Sequence, residues 1–132
     1  MNMVINYWAV LVAAVSAFVL GGLWYSKLLF GNAWMRESGM TEEKAAQSNP
    51  AKVFGGAFVL SLLAAWAFAM FLGEVSWQEG TMYGFMAGLF WVAASFGINY
   101  LFEQRSLKLW AINGGYHTVQ FTLYGFILGL WH

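Results

Sequence analysis

The stretch VFGGAFVLSLLAAWAFAMFLG, residues 53–73, runs for 21 positions without a Lys, Arg, Asp or Glu. About 20 such residues in a helix cross the hydrocarbon core of a bilayer, where every backbone polar group must be satisfied internally. Working outward, residues 1–26, 80–102 and 109–132 are equally free of charge, over 26, 23 and 24 residues. All 12 charged side chains fall in the remaining 38 positions, and the charged fraction is 9%. A soluble domain carries about 25%, spread over its surface. This chain cannot cover a water-facing surface. The expectation is an all-α membrane protein, one domain over residues 1–132, with four transmembrane helices at about 4–25, 51–72, 80–102 and 110–131. The first block has no basic residue ahead of its apolar run, so it reads as a retained helix and not a cleaved signal.

Composition removes several chemistries. Cysteine is absent, which excludes disulfides, thiolate metal sites and cysteine nucleophiles, and aspartate is absent too. The formal net charge is zero, so nothing points to nucleic acid. No nucleophile elbow, phosphate loop or zinc spacing occurs, and the Gly-Gly pairs lie inside apolar helices. The chain is expected to be no enzyme, with no catalytic residue, no metal and no cofactor.

Charge also orients the chain. Lys27, Arg36, Lys44, Lys52, Arg105 and Lys108 all fall in residues 27–52 and 103–108, whereas the segment between the second and third blocks has only Glu74 and Glu79. The positive-inside rule puts 27–52 and 103–108 in the cytoplasm and both termini outside, in what reads as a bacterial inner (plasma) membrane. Six of the eight Trp fit the two interfacial belts: Trp8, Trp77 and Trp131 outside, Trp24, Trp34 and Trp110 inside. Between helices 1 and 2, residues 27–50 alternate apolar Leu28, Leu29, Phe30, Trp34 and Met35 with polar Lys27, Asn32, Arg36 and Glu37, an amphipathic interfacial segment. Gly39 ends it. Thr41 ahead of Glu42 and Glu43 caps a short helix, and Asn49-Pro50 restarts the chain into helix 2.

Small residues recur every fourth position: Ala9, Ala13, Ala17 and Gly21; Ala57, Ser61, Ala65 and Ala69; Gly80, Gly84 and Gly88; Gly125 and Gly129. Lipid is as apolar as the helices, so they associate where small side chains let backbones approach. These stripes pack one bundle or face another copy. The Gly80, Gly84, Gly88 stripe is the expected subunit contact of a homo-oligomer.

Helix 4 carries Asn113, His117, Gln120 and Tyr124 on one face, and helix 3 offers Ser95, Asn99 and Glu103, four apart. Polar groups at membrane depth must face protein, water or a ligand. Asn99, Asn113, His117, Gln120 and Tyr124 thus form a candidate polar site for an unidentified small molecule, ion or proton. The other reading is an interhelical hydrogen-bond network that only fixes the bundle. The partners expected are the lipid bilayer and a second copy of the chain; a structural or accessory subunit of a larger membrane complex is the alternative role.

The stretch Leu20-Gly21-Gly22-Leu23-Trp24-Tyr25-Ser26, continued by Leu28-Leu29-Phe30-Gly31-Asn32-Ala33-Trp34-Met35, resembles the signature of the domain of unknown function 1761 family. The later run from Ser106 through Asn113-Gly114-Gly115-Tyr116-His117 to Gly129 is similar to that family's closing segment. Members often have Pro where this chain has Lys27. The resemblance covers essentially the whole chain and implies a small four-helix integral membrane protein. It implies no activity, and it transfers no functional residue.

Overall fold

The computed structural model describes residues 4–132, so the expected outward placement of the N-terminus, residues 1–3, lies outside the described residues. The described residues are 81% helical, with no strand among them. The order is α1 (Tyr7–Trp24), α2 (Gly31–Ser38), α3 (Glu42–Ala46), α4 (Pro50–Leu72), α5 (Trp77–Met86), a π-helical segment (Ala87–Ala93), α6 (Ala94–Phe102) and α7 (Leu107–Leu130). Three helices are long and apolar enough to cross a membrane: Tyr7–Trp24, Pro50–Leu72 and the continuous run Trp77–Phe102. The 24-residue α7 is not among them, because it carries Asn113, His117, Thr118, Gln120 and Thr122.

Side-chain caps set the helix starts. Asn6 accepts from the N–H groups of Trp8 and Ala9, and Asn49 from those of Ala51 and Lys52, with Pro50 as the first helical residue. Ser76 and Ser106 cap α5 and α7 through the N–H groups of Glu79 and Leu109. These serines start both helices three residues before the positions expected from charge alone. Thr41 caps α3, and Gly39 ends α2 at φ 78°. Between α1 and α2 the chain folds back so closely that a Cβ on Gly31 would strike the Tyr25 carbonyl.

The last helix is the central one. Leu109, Ile112, Gly114, Thr118, Gln120, Tyr124, Gly125, Leu128 and Gly129 of α7 are all buried. On one side lies α1, with Ala9, Ala13, Ala14 and Ala17 wholly buried; α4 adds Ala65 and Phe68. Gly21 continues the α1 face, and a Cβ there would come 3.3 Å from the Tyr116 hydroxyl.

On its other side α7 meets α5 backbone to backbone. A Cβ on Gly80 would strike the Gly125 carbonyl, one on Gly84 the Phe121 carbonyl, and one on Gly88 would lie 2.7 Å from Thr118 Cα. Gly125 reciprocates against Gly80, and a Cβ on Gly129 would meet the Ser76 carbonyl at 2.6 Å. The expected subunit contact through Gly80, Gly84 and Gly88 is thereby corrected. That face is occupied by α7 of the same chain, because glycines on both helices let the two backbones meet.

The short connection between α4 and α5 does not hold those helices side by side. They diverge around an apolar groove of about 380 Å³, lined by Phe68, Phe71, Leu72, Tyr83, Met86 and Phe90 among others. The glycine face of α5 is committed to α7, while α4 turns Ser61 and Ala65 toward α1 and α7.

The π-helical segment decides which residues of the third long helix face inward. Up to Gly88 the contacts with α7 recur every fourth residue; the next are Ala93 and Gly97, packed against Gly114 and Trp110. The step from 88 to 93 is five. A π turn inserts one extra residue into an α-helix, so everything beyond it is rotated by one position. Ser95, Asn99 and Glu103, which α-helical spacing would align with the glycine stripe, are exposed.

Candidate functional site

The polar residues of α7 separate into two hydrogen-bonded groups. Toward the N-terminal end of α7, the Tyr25 hydroxyl donates to Asn113 Oδ1 at 2.7 Å, and Asn113 Nδ2 donates to the Tyr100 hydroxyl at 2.8 Å. This ties the end of α1, α6 and α7 together through one amide. Tyr25 also packs edge-on against Trp34 of α2, which ties that helix to the site.

Deeper, a chain of four side chains crosses the core. His117 Nδ1 lies 2.6 Å from Gln120 Oε1, Gln120 Nε2 donates to the Tyr124 hydroxyl at 2.7 Å, and Tyr124 Oη lies 2.6 Å from Ser61 Oγ of α4. Ser61 Oγ then reaches the Ala14 carbonyl of α1 at 3.4 Å. Gln120 and Ser61 are buried, and Tyr124 is 0% exposed. An unpaired polar group here would be costly, and no buried side-chain polar atom among the described residues lacks a partner.

The chain has a direction. With its N–H engaged on Tyr124, the Gln120 amide offers only its oxygen to His117, so Nδ1 of a neutral imidazole carries the proton. Nε2 then presents a lone pair, and it makes no hydrogen bond to the described residues. The ring stacks on Phe96, with centroids 5.0 Å apart and planes 9° apart, and meets Tyr116 edge-on. His117 is half-buried, so this nitrogen sits at the margin of the bundle, not in its core.

Indole and phenol groups close the remaining backbone gaps. Trp24 Nε1 donates to the Ile112 carbonyl at 3.0 Å, Trp110 Nε1 to the Ala93 carbonyl at 2.7 Å, and the Tyr116 hydroxyl to the Ala17 carbonyl at 2.9 Å. Thr118 and Thr122 return their hydroxyls to carbonyls one turn back within α7.

Of the five expected site residues, His117, Gln120 and Tyr124 are joined directly. Asn113 belongs to the separate tyrosine-bound group. Asn99 is not part of either: it is exposed and makes no hydrogen bond to the described residues, because the π turn rotates Tyr100 into the position that α-helical spacing assigns to Asn99. Ser95 is likewise outward, with its hydroxyl on the Trp91 carbonyl. Glu103 pairs with exposed Arg105 at 3.0 Å and does not approach His117. Residue spacing did not single out Ser61, Tyr25 or Tyr100 for the site. Ser61 was visible as the one hydroxyl within the 53–73 block, whereas Tyr100 is hidden by the inserted residue.

No cluster of three or more His, Asp or Glu with metal-holding geometry lies among the described residues. The arrangement can accept a proton or a hydrogen bond at His117 Nε2, with the donors behind it already oriented. A family model described as a protein of unknown function (DUF1761) matches residues 8–129. Comparison with the curated proteins and with the solved structures finds no match.

Proposed function

The chain belongs to the DUF1761 family, and from that premise we propose that it is a four-span integral membrane protein holding a polar site for a proton, an ion or a small hydrogen-bond donor at His117. The observation that carries this reading is the directed chain Ser61–Tyr124–Gln120–His117, which leaves the imidazole Nε2 as an acceptor without a partner among the described residues. The buried members act as positioning residues. They hold the tautomer, in the way that a hydrogen bond on one imidazole nitrogen sets the role of the other. Tyr100 and Asn113 lie one turn closer to the inner end and give the same face further hydrogen-bonding capacity.

Length and surroundings support a fourth span. At about 1.5 Å per residue α7 is about 36 Å long, enough for a hydrocarbon core of about 30 Å. Its polar residues are compatible with that depth because α1, α4 and α5 enclose them. An even number of crossings also keeps all six basic residues on the cytoplasmic side, with both termini outside, in a bacterial inner membrane. The protein is proposed to be non-enzymatic and to act without a cofactor.

The test uses the purified protein in liposomes loaded with a pH-sensitive dye. An imposed proton gradient should dissipate faster with the wild-type chain than with His117→Ala of equal thermal stability. Nitrogen-15 NMR of labelled histidine should find Nε2 unprotonated at neutral pH. Equal fluxes together with a protonated Nε2 would remove the reading. An accessory or self-associating role is favoured by a different observation: Gly22, Gly55 and Gly56 have nothing within 4 Å of an added Cβ, so these glycines of α1 and α4 are not used in the chain's own packing. Native mass spectrometry in mild detergent separates a homo-oligomer, a stoichiometric complex with another subunit, and a monomer.

A further inference from the structure

The π turn does more than rotate the inner half of the third long helix; it places two alternative sets of residues one position apart. Ser95 immediately precedes Phe96, which stacks on His117, and Asn99 immediately precedes Tyr100, which bonds Asn113. If Ala87–Ala93 rewound as α-helix, each residue beyond it would move into the place of the one that follows. Ser95 would replace Phe96 against His117, and Asn99 would replace Tyr100 beside Asn113. The polar pair that now points outward would enter the site, and the aromatic pair would leave it.

We infer that α6 has two registers against α7, interconverted by winding and unwinding of the π turn, and that Trp110 latches the observed one. Three observations converge on this. Asn99 is exposed and makes no hydrogen bond to the described residues, so nothing in the observed register uses its amide. The alternative register moves Phe96 into the place of Gly97, and the three atoms nearest to a Cβ on Gly97 all belong to the Trp110 side chain, at 2.9, 3.4 and 3.6 Å. Trp110 is thus the first side chain that must move to admit the Phe96 Cβ. The same indole donates to the carbonyl of Ala93, the last residue of the π turn, at 2.7 Å. Trp110 therefore holds the register both by hydrogen bond and by volume. π turns inside α-helices are rare and recur at functional sites. The consequence for His117 rests on the site reading above: an aromatic wall in one register and a hydroxyl and amide wall in the other. The registers themselves do not depend on it.

Disulfide trapping tests this, and the chain's lack of native cysteine removes background. A Cβ on Gly114 lies 3.2 Å from Ala93 Cβ, close to the span of a disulfide. Gly114→Cys combined with Ala93→Cys reports the observed register; combined with Val92→Cys it reports the alternative. In lipid, the 93–114 pair should oxidise readily and the 92–114 pair should form as a smaller fraction. Adding Trp110→Phe should raise 92–114 severalfold at the expense of 93–114. Deleting Phe90 removes the extra residue, which should keep 93–114 and abolish 92–114. Absence of 92–114 in the intact chain overturns the inference, as does a 92–114 yield that the deletion leaves unchanged. If the deleted chain does not fold, seen as loss of 93–114, the Trp110→Phe arm decides, and an unchanged ratio there overturns it. None of these readouts involves proton flux, so the register switch and the His117 site can fail separately.

Discussion

Single residues here are constrained by what stands opposite them. Gly84 and Gly55 are both helical glycines, yet a Cβ on Gly84 would strike the Phe121 carbonyl, while one on Gly55 meets nothing within 4 Å. Gly84→Ala must push two backbones apart, and overpacking of this kind typically costs about 1–3 kcal/mol. Gly55→Ala should change stability by less than about 0.5 kcal/mol. Thermal unfolding of the two variants in the same detergent measures the contrast, and equal losses would contradict the packing described. Tyr124→Phe removes the hydroxyl that receives Gln120 and meets Ser61. Hydrogen bonds between membrane helices average about 0.6 kcal/mol with a maximum near 1.7, so losing this doubly bonded group should destabilise by about 1–2 kcal/mol in a denaturation series. Proton flux should fall as well if the chain positions His117. Spacing along α7 was enough to collect His117, Gln120 and Tyr124, since all three lie on one unbroken helix. It could not find Ser61 or Tyr25 as their partners, because those contacts depend on how α4 and α1 are placed.

At the scale of elements, helix ends were more legible than helix faces. Thr41, Asn49 and Pro50 act locally, through the first turn of the helix that they begin, so their roles can be read without tertiary structure. The face of the third long helix cannot. An i, i+4 pattern assumes one winding throughout, and the pattern Ser95, Asn99, Glu103 is real in the sequence but lies beyond an inserted residue. What selects the π turn is the fit of Ala93 and Gly97 to Trp110 and Gly114, a property of two helices together. The end of α6 yields a further prediction. Gln104 has φ 57°, while its N–H donates to the Leu101 carbonyl and the Arg105 N–H to the Tyr100 carbonyl. This is the Schellman arrangement, in which glycine ordinarily occupies the left-handed position. Gln104→Gly should therefore stabilise the α6–α7 turn, by up to about 1 kcal/mol, observable as a higher melting temperature. A lowered one would mean that the Gln104 side chain contributes there.

For the whole molecule, the distribution of charge was the most informative feature of the sequence, since it marked the apolar helices before any contact was known. It did not reveal which helix is central. Length and composition treat the four blocks alike, whereas α7 is surrounded by the others and is the least apolar of the long helices for that reason. Orientation remains directly measurable. Single cysteines introduced at Ser48 and at Glu74, in the cysteine-free background, should label from opposite sides of intact inverted and right-side-out vesicles. Labelling of both from the same side would overturn the proposed four-span topology.

The central place of α7 has a consequence for biosynthesis. Ribosomes release the chain in order, so the helix on which the others converge emerges after them. Until it arrives, α1 and α4 can pair through Ala14 and Ser61, but α5 has no partner for its glycine face and scarcely touches α4. A nascent chain halted before Leu107 would hold three apolar helices with no common centre, a form that membrane quality-control proteases are suited to remove. Assembly is thus gated by completion of synthesis, and a premature stop near residue 106 should leave little protein at steady state even though most of the apolar sequence has been made.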